Sequence, residues 1–216
     1  LVDVEPSPVP GVPPLIGRLV RLEPLDERHV DGLVAAAAED RSTFDFTTVP
    51  DGHPAMTAYV AELLDARAAG LTVPFAQVRI ADDVVVGATR YLNLHRRAGE
   101  TLPFGVEIGG SWLAARAQRS GVNAESKLLL LGHAFDAWAV DRVDFKTDAR
   151  NERSRAAIAR LGATFEGVLR RWQPSHALGE AGMLRDTAVY SIIAAEWPTI
   201  RSALEARGER PDETST

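Results

Sequence analysis

Three apolar, β-branched stretches follow one another at residues 73–80, 84–92 and 103–113, and they constrain this chain more than any other feature. Each is short and bounded by Gly, Asp or charged residues, so each is expected as a strand. Asp82-Asp83 lies between the first two and makes them a hairpin. The charged loop 95–102 leads into the third, which completes a meander. Such a sheet must cover its apolar surface, and the flanking sequence supplies helices. Residues 26–39 form one, with Asp26 as N-cap, and a second has Pro54 in its first turn and stops at Gly70.

Beyond the meander the chain alternates. Apolar residues at 128, 129, 131, 134, 135 and 138 give helical spacing across 122–140. A strand is expected at 142–148, then a helix over 151–162 that starts on Asn151 and ends at Gly162. Strands at 164–172 and 187–194 and a helix over 196–207 close the sequence. With a first strand at 18–24, the order β-α-α-β-β-β-α-β-α-β-β implies one α/β domain with a mixed sheet, spanning 18–207. Residues 1–17 carry Pro at 6, 8, 10, 13 and 14 and are expected as an extended arm, and 208–216 as a polar tail.

Composition narrows the function classes. A formal net charge of -6 gives no electrostatic reason for nucleic acid or an anionic membrane as partner. No apolar run reaches the roughly 18 residues of a spanning helix, and a cytoplasmic protein is expected. With no cysteine in the chain, disulfides, zinc thiolates and a cysteine nucleophile are excluded. The five histidines show no ligand spacing, so no metal site is expected.

The informative segment is WLAARAQRSGVNAESKLLLLGHAF, residues 112–135. A strand ends near Ala114, a loop carries Gln118-Arg119-Ser120-Gly121, and a long helix begins at Val122. Backbone N–H groups feeding a helix N-terminus form an anion cradle, and Gly121 lets the chain turn close to a ligand. The same spacing also suits an ordinary strand–turn–helix junction. Neither GxGxxG nor GxxxxGK[ST] is present, so neither nucleotide class is supported.

Gln118-Arg119-Ser120-Gly121-Val122-Asn123 resembles the Q/R-x-x-G-x-G/A signature of the GNAT acyltransferase superfamily, with Asn123 in place of the last Gly or Ala and Ala124 following. VEIGGSWL, KTDARNERSRAAIARLGATFEGVLR and RDTAVYSI are similar in order and spacing to the branch related to ribosomal-protein N-terminal acetyltransferases. The resemblance covers roughly residues 18 to 198. It implies an α/β fold with a splayed mixed sheet and helices on both faces. It also implies an acyl-CoA, most simply acetyl-CoA with other acyl groups open, as cosubstrate.

By the same resemblance, Gln118 to Ala124 cradle the coenzyme pyrophosphate, and the backbone at Trp112 and Leu113 pairs with pantetheine. Asn151 binds the pantetheine arm, where residue chemistry alone reads a helix cap. Ser154 protonates the leaving thiolate. Glu107, in the strand ahead of the cradle, is the candidate general base; its alternative is a solvated carboxylate. Phe46 and Tyr190 are candidates for the acceptor groove, although Tyr190 also suits a cross-strand aromatic. The branch's second carboxylate has no match, since Gln173 or Pro174 falls there.

The expected activity is transfer to a primary amine, either a protein N-terminus or a small molecule, by direct attack in a ternary complex. The alternative is a catalytically degenerate acyl-CoA-binding sensor or scaffold. Loops 40–53 and 95–102 are expected to wall the acceptor groove, and Asp45, Asp51 and Glu107 to favour a cationic acceptor. A homodimer is compatible with the resemblance.

Overall fold

The alternation of residues 73–113 folds as the expected meander: β3 (Thr72–Arg79), β4 (Val84–His95) and β5 (Gly105–Leu113) pair antiparallel in sequence order. The computed structural model describes residues 11–208, so residues 1–10 of the expected arm and 209–216 of the expected tail lie outside it. Before the meander come β1 (Leu15–Ile16), β2 (Val20–Pro24), α1 (Val30–Ala38) and α2 (Gly52–Ala68). After it come α3 (Val122–Gly132), β6 (Arg142–Asp148), α4 (Glu152–Arg160), β7 (Thr164–Pro174), β8 (Leu184–Ile193) and α5 (Trp197–Gly208).

The eight strands form one mixed sheet in the order β1-β2-β3-β4-β5-β6-β8-β7. The β5–β6 pair is parallel, joined by α3 as the crossover, and every other pair is antiparallel. Alternation along the strands divides the core in two. Val106, Ile108, Val143, Phe145 and Tyr190 face α3, α4 and α5. Ala76, Ala88 and Trp112 face α1 and α2, against Leu33, Met56 and Val60. Helices therefore cover both faces.

Two elements differ from the sequence expectation. Residues 15–16 pair with β2 rather than extending an arm, because Glu125 in the first turn of α3 anchors the segment. Its carboxylate accepts from the backbone N–H groups of Arg18, Leu19 and Val20 at 2.7–2.9 Å. Gly17 makes that approach possible, since a Cβ there would lie 2.5 Å from the carboxylate. The helix expected over 122–140 is α-helical to Gly132 and then widens into a π-turn at His133–Ala137. The buried Tyr91 hydroxyl donates to the Leu130 carbonyl at 2.5 Å, and a side chain inserted into the helical ladder in this way opens the following turn.

Candidate active site

β5 and β6 share register only at Gly105↔Arg142, Val106↔Val143 and Glu107↔Asp144. Past Glu107, β5 continues to Leu113 with β4 on one side, while β6 continues to Asp148 with β8 on the other. The two parallel strands therefore diverge, and residues 108–113 present a strand edge towards the opening. An extended amide chain can pair with such an edge. The local sequence makes the divergence possible. Gly110 adopts φ +56, and a register shift falls between Ala88 and Arg90 of the neighbouring strand. Gly87 lets β4 press against β5, where a Cβ would sit 2.1 Å from the Trp112 carbonyl oxygen.

The open end of this wedge leads into the cradle. Gly121 is the N-cap of α3 in the left-handed conformation (φ 85) without a side-chain cap, so the helix N-terminus keeps its donors for a ligand. Arg119 also has positive φ and is exposed, while Val122 is buried and anchors the helix start. Asn123 is half-buried and Ala124 exposed at the first turn. Ser120 Oγ donates to the Ala117 carbonyl at 2.7 Å. Gln118 Nε2 donates to the Leu113 carbonyl at 3.0 Å, and its Oε1 accepts from Arg153. Gln118 thus shapes the loop, whereas Arg119 to Ala124 offer the groups an anion would meet. The Trp112 ring packs edge-on to Phe44 at 5.9 Å, so the side chain belongs to the core and the backbone to the wedge.

Glu107 marks the point where the strands part. It is buried, and Oε2 accepts from Lys146 Nζ and Asn93 Nδ2, both at 2.7 Å. These two bonds fix the carboxylate and leave Oε1 as the oxygen they do not engage. Asn151 caps α4, its Oδ1 accepting from the Ser154 N–H at 3.0 Å, and its amide nitrogen remains as a donor. Ser154 is half-buried in the first turn of α4. Tyr190 pairs with Phe145 and faces α4, where its hydroxyl accepts from Arg155 Nε at 3.1 Å and its ring meets Phe165 at 5.1 Å. Glu107 and Lys146 lie on the opposite face, so the structure does not bring Tyr190 to Glu107.

Loop 40–53 stands over the C-terminal end of β6. Phe46 lies under the Arg150 guanidinium at 5.5 Å, and Thr48 Oγ1 meets His176 Nδ1 at 3.1 Å. The Asp45 carbonyl accepts from the Leu178 N–H, and the Thr43 carbonyl from Arg153. Its partner wall is therefore the β7–β8 connection. Loop 95–102 lies at the other end of β5, where Arg97 reaches Asp141. Sequence reasoning missed this pairing because β7 and β8 are distant from residue 45 in the chain.

Two of the three acids expected to line the groove have basic partners. Glu107 is paired with Lys146, and Asp51 lies 3.5 Å from Arg41. Arg150 clamps both Asp148 and Glu180, and this contact, with the Ser175 hydroxyl, holds the Glu180 carboxyl down at about 2. Lys146 carried one usable signal, as one of only two lysines and at an alternating polar position of β6. No group of three or more His, Asp or Glu among the described residues is placed to hold a metal ion, and no described helix is long and apolar enough to cross a membrane.

Comparison with known proteins gives consistent matches. A family profile described as an acetyltransferase (GNAT) domain matches residues 19–164. A Bacillus subtilis (strain 168) protein with the provisional name ribosomal N-acetyltransferase YdaF is 31% identical over 88 residues, which are 41% of this chain and 45% of that protein. The match thus spans under half the length of that curated relative. A GCN5-related N-acetyltransferase from Brucella melitensis superposes with a TM-score of 0.77 at 29% identity, covering 95% of this chain and 90% of the other. Mycobacterium smegmatis RimJ, solved in complex with CoA-disulfide, shares the fold at a TM-score of 0.72 and 24% identity, covering 88% and 89%.

Proposed function

The chain belongs to the GNAT acetyltransferase family, and from that premise we propose that it transfers an acetyl group from acetyl-CoA to a primary amine, the α-amine of a peptide before others. The observation that carries this reading is the parting of β5 and β6 immediately after Glu107, with the α3 N-terminus at its open end. The chemistry of the donors fits the cosubstrate. A Cβ at Gly121 would fall 2.9 Å from Leu19 and demand positive φ, so glycine keeps this turn available to a pyrophosphate. The strand edge 108–113 suits the amides of pantetheine. The resemblance of residues 112–135 to the family and the name of the B. subtilis relative support the activity and the peptide acceptor respectively.

Acetyl-CoA, when bound, supplies an activated acyl carbon. The chain's residues do the remaining work. Arg119 and the N–H groups of residues 122–124 bind phosphate. Glu107, oriented by Lys146 and Asn93, receives the amine proton at Oε1, and Ser154 offers a hydroxyl proton to the departing sulfur. Holding amine and acyl carbon together lowers the barrier by removing their freedom to wander.

The test is thiol release from acetyl-CoA with a panel of peptides and small amines. Acceptor-dependent release is expected, and Glu107→Gln lowers kcat by roughly 100-fold or more. Tight CoA binding without release for any acceptor would instead support a sensor or scaffold. Full activity in Glu107→Gln would remove Glu107 from the chemistry.

A further inference from the structure

The sheet face that carries Glu107 also carries two arginines that no acidic side chain contacts. Arg90 on β4 pairs in register with Gly109, and Leu92, two residues on, pairs with Glu107, so Arg90 and Glu107 share a face. On β8, Val189 pairs with Lys146, and Arg185 lies on the same side of the alternation. The α4-facing residues Phe145, Ala188 and Tyr190 lie on the other. The two guanidiniums therefore flank the floor on which Glu107 sits.

Their surroundings leave them short of partners. Arg90 makes no hydrogen bond or ion pair among the described residues, and its Nε is buried without an acceptor. Arg185 donates to Gln173 Oε1 at 3.1 Å, and its Nε is likewise buried without an acceptor. Each acid nearby is already matched: Glu107 by Lys146, and Asp148 and Glu180 by Arg150. His176 adds no further positive charge beside them, since burial and the fields of Arg185 and Arg90 hold it towards its neutral form. A half-buried guanidinium without an acid in contact is costly: burial lowers the Arg185 pKa, and the fields of Asp148 and Glu107 offset that only in part. An arriving carboxylate repays it, through the planar two-oxygen geometry that guanidinium forks match.

Two glycines lie in the floor between the groups and let the side chains approach the backbone closely. A Cβ at Gly109 would lie 3.3 Å from Glu107 Oε1, and one at Gly110 2.7 Å from Arg90 Nε. Glu107 and Arg90 thus border the same two-glycine stretch of β5, with the Leu92 side chain against Gly109 between them.

We propose that Arg90 and Arg185 select an acceptor that bears a carboxylate close to the reacting amine, so that the amine meets Glu107 and the carboxylate meets the guanidiniums. This rests on the transferase reading above and names its acceptor class: an acidic residue following a peptide N-terminus, or the α-carboxylate of a free amino acid.

The experiment measures acetyl transfer by the full chain in two matched pairs. One pair is an amidated hexapeptide with alanine first and glutamate or glutamine second; the other is a free amino acid and its amide. In at least one pair the acidic member is expected to show kcat/KM at least about tenfold above its neutral partner, the size of one charged hydrogen bond. The pair that responds identifies the source of the carboxylate. In Arg90→Gln and Arg185→Gln the acid-to-neutral ratio falls towards one. Equal rates within both pairs, or faster transfer to the neutral members, would overturn the proposal while leaving the transferase reading intact. An acid preference that survives both substitutions would overturn the assignment to these arginines. Transfer to none of the four acceptors would overturn the proposal, and a panel without any acceptor-dependent release would overturn the transferase reading with it.

Discussion

Lys127 shows how a single residue can hold a measurable fraction of this protein's stability. It lies on the inner side of α3, and Nζ donates to the hydroxyls of Thr89, at 3.2 Å, and Ser111, with no carboxylate in contact. Burial lowers its pKa from 10.5 to about 7. Between those values the unfolded chain carries a proton that the folded chain does not, so unfolding takes one up and stability rises with pH through that window. Below about pH 7 both states are protonated and the fold bears the whole cost of a buried charge. Lys127→Met is therefore expected to raise Tm by several degrees at pH 6, with the gain shrinking towards pH 10. Thermal melts of both proteins across that range check it. A gain independent of pH would mean that packing, not charge, is responsible. Glu107 is the contrasting case, a buried carboxylate whose charge is answered by Lys146 at 2.7 Å.

At the scale of elements, one side chain decides how the first strands attach. The Glu125 carboxylate gathers three backbone donors from residues 18–20, holding β2 against α3 beside the cradle. Glu125→Ala strands those donors and is expected to destabilise the protein by roughly 2 kcal/mol, read by denaturant unfolding. It also loosens the loop around Gly121, whose α-carbon region faces Leu19, so CoA affinity falls with stability. A variant as stable as the parent would show that water replaces the carboxylate at no cost. Most elements were legible in sequence because their signals are local: Asp26 and Asn151 as caps, Gly70 and Gly162 as stops, Asp82-Asp83 as a turn. The strand 142–148 matches residue for residue. The misses are tertiary. Nothing near residue 133 announces a π-turn, because its cause is Tyr91 on another strand. Nothing near residues 15–16 announces a strand, because Glu125 is more than a hundred residues away. The site divides in the same way. Of the proposed site, the cradle and Glu107 are visible as a motif and an alternation, while Lys146, Asn93, Arg90 and Arg185 come near it only when the sheet brings four strands together.

Across the whole molecule, the architecture leaves an opening where two parallel strands part. β5 and β6, the parallel pair of the sheet, separate beyond Glu107, and helices pack on both faces. The net charge of -6 disfavours an anionic cosubstrate at long range, so under the proposed function local donors overcome it: the α3 N-terminus and Arg119. Of the acids on which the expectation of a cationic acceptor rested, Glu107 is paired with Lys146 and Asp51 lies near Arg41. The proposed function requires acetyl-CoA in the opening between β5 and β6. Amide hydrogen exchange with and without saturating acetyl-CoA tests it most directly. The account predicts slowed exchange at residues 108–113 and 119–125, with the β2–β3 pairing unchanged. Protection elsewhere, with residues 108–113 exchanging as fast as in the free protein, would contradict it.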